Sequence, residues 1–170
     1  MNNKAIASER AVHGALDFAE LARLNLNPDD ILDFSVNANP YGPSPRVHEE
    51  IAAAVLDRYP DRLCLQLRQT ILRYELAETN LPLASVVCGN GASELIWTVA
   101  RTFLKQGMKA AIIGPTFGEY RVASQATGAL VSEMQASAEN DFRHSLDILL
   151  AWLHAERPQL VWLCNPNNPT

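Results

Sequence analysis

Apolar and polar positions follow two rhythms along this chain. In the first half, the spacing is helical and interrupted. Ala15 to Leu24 predicts a short helix and Ile31 to Ser35 a short strand, and the turn-rich stretch Asn37 to Pro45 predicts a loop. Ser44 before Pro45 marks a helix start, with a hydroxyl able to cap and proline at the first helical position; the helix should run to about Arg58, before Pro60. From Arg62 to about Glu78, Leu63, Leu67, Ile71 and Tyr74 recur at steps of three or four, the mark of an amphipathic helix. Leu81-Pro82 then breaks the chain.

In the second half, short apolar runs alternate with helical segments. Val86 to Cys88, Ala110 to Ile113, Leu130 to Met134 and Leu160 to Cys164 predict strands; Ser93 to Lys105, Glu119 to Thr127 and Ser145 to Ala155 predict helices between them. Nearly continuous apolar strands in repeated βα units imply a parallel sheet covered on both faces. The expected fold class is therefore α/β: an incomplete, mostly parallel sheet with flanking helices, preceded by an arm and helices. A domain change is expected near residue 80, dividing 1–80 from 81–170.

Composition narrows the partners. The chain is 170 residues long, 48% hydrophobic and 19% charged, enough for one sizeable core, and its net charge of -5 disfavours a nucleic-acid or acidic-membrane binder. No apolar stretch approaches a membrane span and Met1 to Arg10 lacks the apolar centre of a signal peptide, so a cytoplasmic location is expected. Cys64, Cys88 and Cys164 form no C-x-x-C pair and read as structural thiols. His13, His48, His144 and His154 are not at ligand spacing, and no metal site is expected.

Three segments carry candidate chemistry, each following a predicted strand. Cys88-Gly89-Asn90-Gly91-Ala92-Ser93-Glu94 joins strand to helix, where glycines permit a tight turn and unpaired helical N–H groups favour an anion. It is either an ordinary turn capped by Ser93 or Asn90, or a phosphate cradle. Gly114-Pro115-Thr116-Phe117-Gly118-Glu119-Tyr120 places aromatic rings at the same sheet edge, as core packing or as a surface for a flat cofactor. Asn165-Pro166-Asn167-Asn168-Pro169-Thr170 follows an apolar strand, at the edge where open α/β sheets place ligands.

The last segment resembles the Asn-Pro-x-Asn-Pro-Thr signature of pyridoxal-phosphate (PLP) enzymes of the class I/II aminotransferase type, and Gly89 to Glu94 resembles the phosphate loop of that superfamily, fold type I. The resemblance implies that PLP is the cofactor. The backbone of Gly91, Ala92 and Ser93 would hold its phosphate, with Phe117 stacked on its ring and Tyr120 as second choice. Asn168 would donate a hydrogen bond to its phenolic oxygen. Arg58-Tyr59-Pro60 is similar to a family segment whose tyrosine reaches the PLP phosphate of the neighbouring subunit, which makes Tyr59 part of a shared site and the protein a homodimer. The resemblance also implies a Schiff-base lysine and a pyridinium aspartate beyond Thr170. None of Lys4, Lys105 and Lys109 fits that role, so no catalytic residue is expected here, and the chain alone is expected to be an inactive front portion.

Val12-His13-Gly14 together with Asp33-Phe34-Ser35-Val36-Asn37-Ala38-Asn39-Pro40 looks like segments of threonine-phosphate decarboxylases of cobalamin biosynthesis. This gives the first expectation, a PLP-dependent lyase acting on a phosphorylated amino acid, with His13, Ser35 and Asn37 as substrate contacts. Ala15-Leu16 departs from the decarboxylase pattern Gly-Asn. The alternative is an aminotransferase of the histidinol-phosphate type, which shares the Asn-x-Asn-x-Pro loop and Arg-Tyr-Pro. A further alternative is a non-catalytic phosphate-binding module.

Overall fold

The computed structural model describes residues 14–169, so His13, Lys4 and Thr170 lie outside the described residues. The chain forms two compact units that meet in sequence between Thr79 and Asn80.

The first unit holds three short helices. α1 (Phe18–Leu24) starts at Asp17, whose carboxylate accepts the backbone N–H groups of Ala19 and Glu20, and ends where Asn25 turns left-handed. α2 (Pro45–Ala52) has Pro45 in its first turn, but the Ser44 hydroxyl makes no cap. It stops six residues short of the expected Arg58. Val55 is 54% and Leu56 90% exposed, so no burial sustains another turn. α3 (Leu65–Tyr74) begins later than the pattern predicts, because the Asp61 carboxylate takes the N–H groups of Leu63 and Leu65 while Cys64 adopts a φ of 47°. The strand expected at Ile31 to Ser35 is absent: those residues pair with no strand, and Phe34 is 88% exposed. An alternating apolar stretch becomes a strand only beside a partner.

The second unit is the α/β part. Its elements are α4 (Gly91–Phe103), β1 (Lys109–Gly114), α5 (Glu119–Ala126), β2 (Leu130–Gln135), α6 (Leu146–Glu156) and β3 (Leu160–Trp162). β1 pairs in parallel with both others, giving the order β2-β1-β3, with Lys109 opposite Leu130 and Ala110 opposite Leu160. The mostly parallel sheet with flanking helices is thus present. Val86 to Cys88 corrects the strand expectation: it pairs with none of the described strands, and β1, the central strand, has both edges occupied. Val86 is nevertheless buried while Val87 is 69% exposed, so the residues keep the alternation of a strand without its ladder.

Parallel connections are right-handed, and β1 to β2 runs in the opposite direction across the sheet from β2 to β3, which puts α5 and α6 on opposite faces. The core lies on the α4/α5 face. Ile96, Ala100 and Leu104 of α4 and its end meet Ala110 of β1, Ala123 of α5 and Ala129. Three of these are alanines with no exposed surface, so helices and sheet approach closely. Among the described residues, no helix is long and apolar enough to cross a membrane.

This close approach generates a test. Ala123→Leu adds three carbons where there is no space and should destabilise the protein by about 1–3 kcal/mol. A urea midpoint equal to that of the wild type would show the contact to be loose.

Candidate functional site

Trp97 of α4 bonds Glu119, just past the carboxyl end of β1, while Leu104 after α4 clusters with Ala110 near the start of β1, so α4 runs antiparallel to β1 and its N-terminus lies toward the carboxyl edge of that strand. The loops after β1 and β3 emerge at the same edge. Gly91, Ala92, Ser93, Phe117 and Asn168 therefore belong to one edge of one unit.

The helix-end loop is built for open N–H groups. Gly91 has a φ of 77°, which favours glycine, and space lies open around its Cα where a side chain would sit. Asn90 makes no side-chain cap, and neither it nor Ser93 serves as the cap anticipated for an ordinary turn. The Glu94 carboxylate instead reaches back to the Asn90 backbone N–H at 2.5 Å and closes the loop. The N–H groups of Ala92 and Ser93 remain in the first turn of a 13-residue helix, where the helix dipole favours an anion.

The second and third loops are tied to each other. The Thr116 hydroxyl donates to Asn167 Oδ1 at 2.7 Å, and Asn167 Nδ2 donates to the Pro115 carbonyl at 2.8 Å. Asn167 is half-buried by this clamp while its neighbour Asn168 is exposed. The two adjacent asparagines thus divide the work, one holding the loops and the other left open at the edge. Sequence reasoning missed Asn167 and Thr116, which lie 51 positions apart with no spacing pattern to link them.

Phe117 packs against the core and meets Tyr120 edge to face, with ring centroids 6.1 Å apart. Tyr120 stacks on Trp162 at 4.9 Å, and the Trp162 indole N–H donates to the fully buried Ser124 hydroxyl at 2.9 Å. Burial, with a hydrogen bond to Cys164, pushes the Tyr120 phenol up to about 12. A cavity of about 640 Å³ is lined by Ile113, Phe142, His144 and Leu163 together with Pro115 and Asn167 of the two clamped loops. His144 Nε2 lies 2.9 Å from the Gly114 carbonyl and, since a carbonyl only accepts, carries the proton there. Ala92, Ser93 and Phe117 do not line this cavity. An anionic ligand is better served by the helix end, which offers N–H donors.

The remaining expected residues belong to the first unit. Tyr59 lies in the loop between α2 and α3 and is 97% exposed. Asn37 is exposed as well. Ser35 donates both its N–H, at 2.7 Å, and its hydroxyl, at 2.6 Å, to Asp33, and these bonds hold the Asp33 carboxyl below its ordinary value. The hydroxyl proton is thus committed, so Ser35 Oγ faces any further ligand as an acceptor. A Cβ on Gly14 would overlap the Ser35 carbonyl, so Gly14 meets Ser35 at a place where only glycine fits.

A parallel α/β unit with an anion-ready helix end and two loops gathered at the same edge is the framework of a phosphorylated-ligand site. The aminotransferase class I and II family model matches residues 29–170, and the chain belongs to that family, whose cofactor is PLP. Its relatives include the histidinol-phosphate aminotransferase of Methanococcus aeolicus, 35% identical over 89% of this chain and 40% of the relative. Histidinol-phosphate aminotransferase from Sinorhizobium meliloti, solved in complex with pyridoxal-5'-phosphate, matches with a TM-score of 0.68 and 24% identity over 79% of this chain and 35% of that one. A decarboxylase from Sulfurospirillum multivorans matches with a TM-score of 0.57 and 25% identity over 73% of this chain and 30% of that one. The chain spans about 40% of the length of the curated relatives it matches.

The raised Tyr120 value makes a prediction with a definite sign. The folded state keeps the phenol protonated, so its stabilising share is complete below pH 10.0 and is lost as pH rises through about 12. Tyr120→Phe should flatten that part of the alkaline stability profile, followed by urea unfolding across the range; an unchanged profile would mean that the phenol is solvated.

Proposed function

We propose that the chain forms part of a PLP-dependent aminotransferase acting on a phosphorylated amine of the histidinol-phosphate type. What carries the reading is the uncapped N-terminus of α4, with Ala92 and Ser93 N–H groups at the edge that also bears Phe117 and Asn168. The names of the relatives support transamination over the decarboxylation first expected.

The donor set fits the cofactor. Backbone N–H groups of Ala92 and Ser93, with Gly91 allowing close approach, would hold the phosphate. Phe117 would lie against the pyridine ring. The Asn168 amide would donate to the phenolic oxygen, favouring its ionised form without adding a charge. Pyridoxal phosphate, when bound, supplies an electron sink for the bond broken at the substrate's α-carbon. The Thr116–Asn167 clamp keeps the two loops at a fixed separation, so Phe117 and Asn168 stay in register. Lys109 sits at the amino end of β1, paired with Glu156 at 3.7 Å, and Lys105 just follows α4; both lie at the sheet end opposite the loops, so the Schiff-base lysine is sought elsewhere in the whole protein.

In the first unit, Asn37 would donate to the substrate phosphate and Ser35 would accept from the substrate, with His13 as a further contact. Tyr59 would serve the cofactor phosphate of a second subunit, which makes the working form a homodimer. The free cysteines Cys64, Cys88 and Cys164 support a reducing, cytoplasmic setting.

Decarboxylation of threonine phosphate is the second reading. It rests on the resemblance of Asp33 to Pro40 to those decarboxylases; the Sulfurospirillum multivorans protein is named a decarboxylase with no substrate given.

The full-length protein should form glutamate from 2-oxoglutarate with histidinol phosphate and release no carbon dioxide from threonine phosphate. Carbon dioxide without glutamate would reverse the choice. In the same protein, Tyr59→Phe should weaken cofactor retention by roughly 1.5–3 kcal/mol, the worth of a charge-assisted hydrogen bond. PLP affinity equal to wild type would place Tyr59 outside the site.

A further inference from the structure

The helix-end loop and the Phe117 loop belong to different βα units, yet a cofactor touching both requires one fixed spacing. A buried carboxylate spans that gap. Glu119 opens α5 two residues after Phe117, is only 8% exposed, and accepts the indole N–H of Trp97 at 2.6 Å. Trp97 lies on α4, the helix whose first turn forms the anion loop, and packs against the core. The Arg101 guanidinium covers the Trp97 ring at 5.1 Å from its centroid, one turn further along α4. A carboxylate this buried is costly unless its partner is held in place, and here the partner is fixed by core packing on one side and a cation on the other. The hydrogen bond therefore locks the start of α5 to the body of α4.

We propose that Glu119 and Trp97 are positioning residues that set the distance between the phosphate-holding N–H groups of Ala92 and Ser93 and the ring-facing Phe117. The proposal rests on the cofactor assignment above. A molecule that touches both loops feels the spacing, whereas an anion held by the helix end alone does not. That difference separates positioning from plain structural support.

The test uses the full-length protein with pyridoxal phosphate and, separately, inorganic phosphate as a competitor. Trp97→Phe keeps the ring but removes the donor; Glu119→Leu removes the acceptor; Glu119→Gln keeps an oxygen that can accept. The first two should raise the Kd for pyridoxal phosphate by about tenfold or more, as expected for one buried charge-assisted bond, and diminish the visible circular-dichroism band of the bound cofactor. Glu119→Gln should stay within about threefold of wild type, since its amide oxygen can replace the carboxylate as acceptor. The inhibition constant of inorganic phosphate should be unchanged. Should Glu119→Leu fail to fold, Trp97→Phe decides alone. Unchanged pyridoxal-phosphate affinity in Trp97→Phe, or equal losses of pyridoxal phosphate and inorganic phosphate, would overturn the proposal. A wild-type protein that takes up no pyridoxal phosphate would overturn the cofactor assignment and this proposal with it.

Discussion

The pairing of β1 along both its edges is the constraint from which the rest of the α/β unit follows. With β2 on one side and β3 on the other, all parallel, every connection must cross the sheet and return, so the loops leaving β1 and β3 reach one edge together. The helices are forced onto both faces by the same pairing. Alanines at Ala100, Ala110 and Ala123 let α4 and α5 approach the sheet closely, so the start of α4 stands beside the loop that follows β1. The residues expected to hold a cofactor are gathered by backbone pairing first and adjusted by side chains afterwards.

Electrostatics at this edge are set by the backbone. The helix end offers N–H groups with no side-chain cap, and the nearby carboxylate of Glu94 is spent on the Asn90 N–H, where it shapes the loop. The Gly91 N–H is bonded to the Gly89 carbonyl, which leaves the N–H groups of Ala92 and Ser93 for an anion. The buried carboxylate of Glu119 is likewise occupied by an indole donor. Acidic side chains near an anion site need not oppose it when their oxygens already hold protein donors.

The three paired strands and all six α-helices were legible because burial imposes a period that the residues must obey, as in the run from Ala110 to Ile113 or the steps of Leu63, Leu67 and Ile71. Ile31 to Ser35 and Val86 to Cys88 have the composition of strands but no pairing partner, and composition does not report partners. Helix ends moved for local reasons: Asp61 starts α3 late by taking two N–H groups, and α2 ends early for want of burial. In the site, the motif-bearing residues could be picked out, but Asn167 with Thr116 and Glu119 with Trp97 could not, because contacts 51 and 22 positions apart leave no periodic trace. Substrate choice was read from the segments around His13 and Ser35, which pointed to decarboxylation, while the relatives matched over 89% of the chain are named histidinol-phosphate aminotransferases.

The central claim is that one sheet edge holds a phosphorylated planar cofactor through the end of α4 and the loops after β1 and β3. A crystal structure of the full-length protein with pyridoxal phosphate addresses it directly. The account predicts the phosphate against the N–H groups of Ala92 and Ser93, the ring against Phe117 and the phenolic oxygen within hydrogen-bonding reach of Asn168. A phosphate bound in the cavity beside His144, with the end of α4 left to solvent, would contradict it.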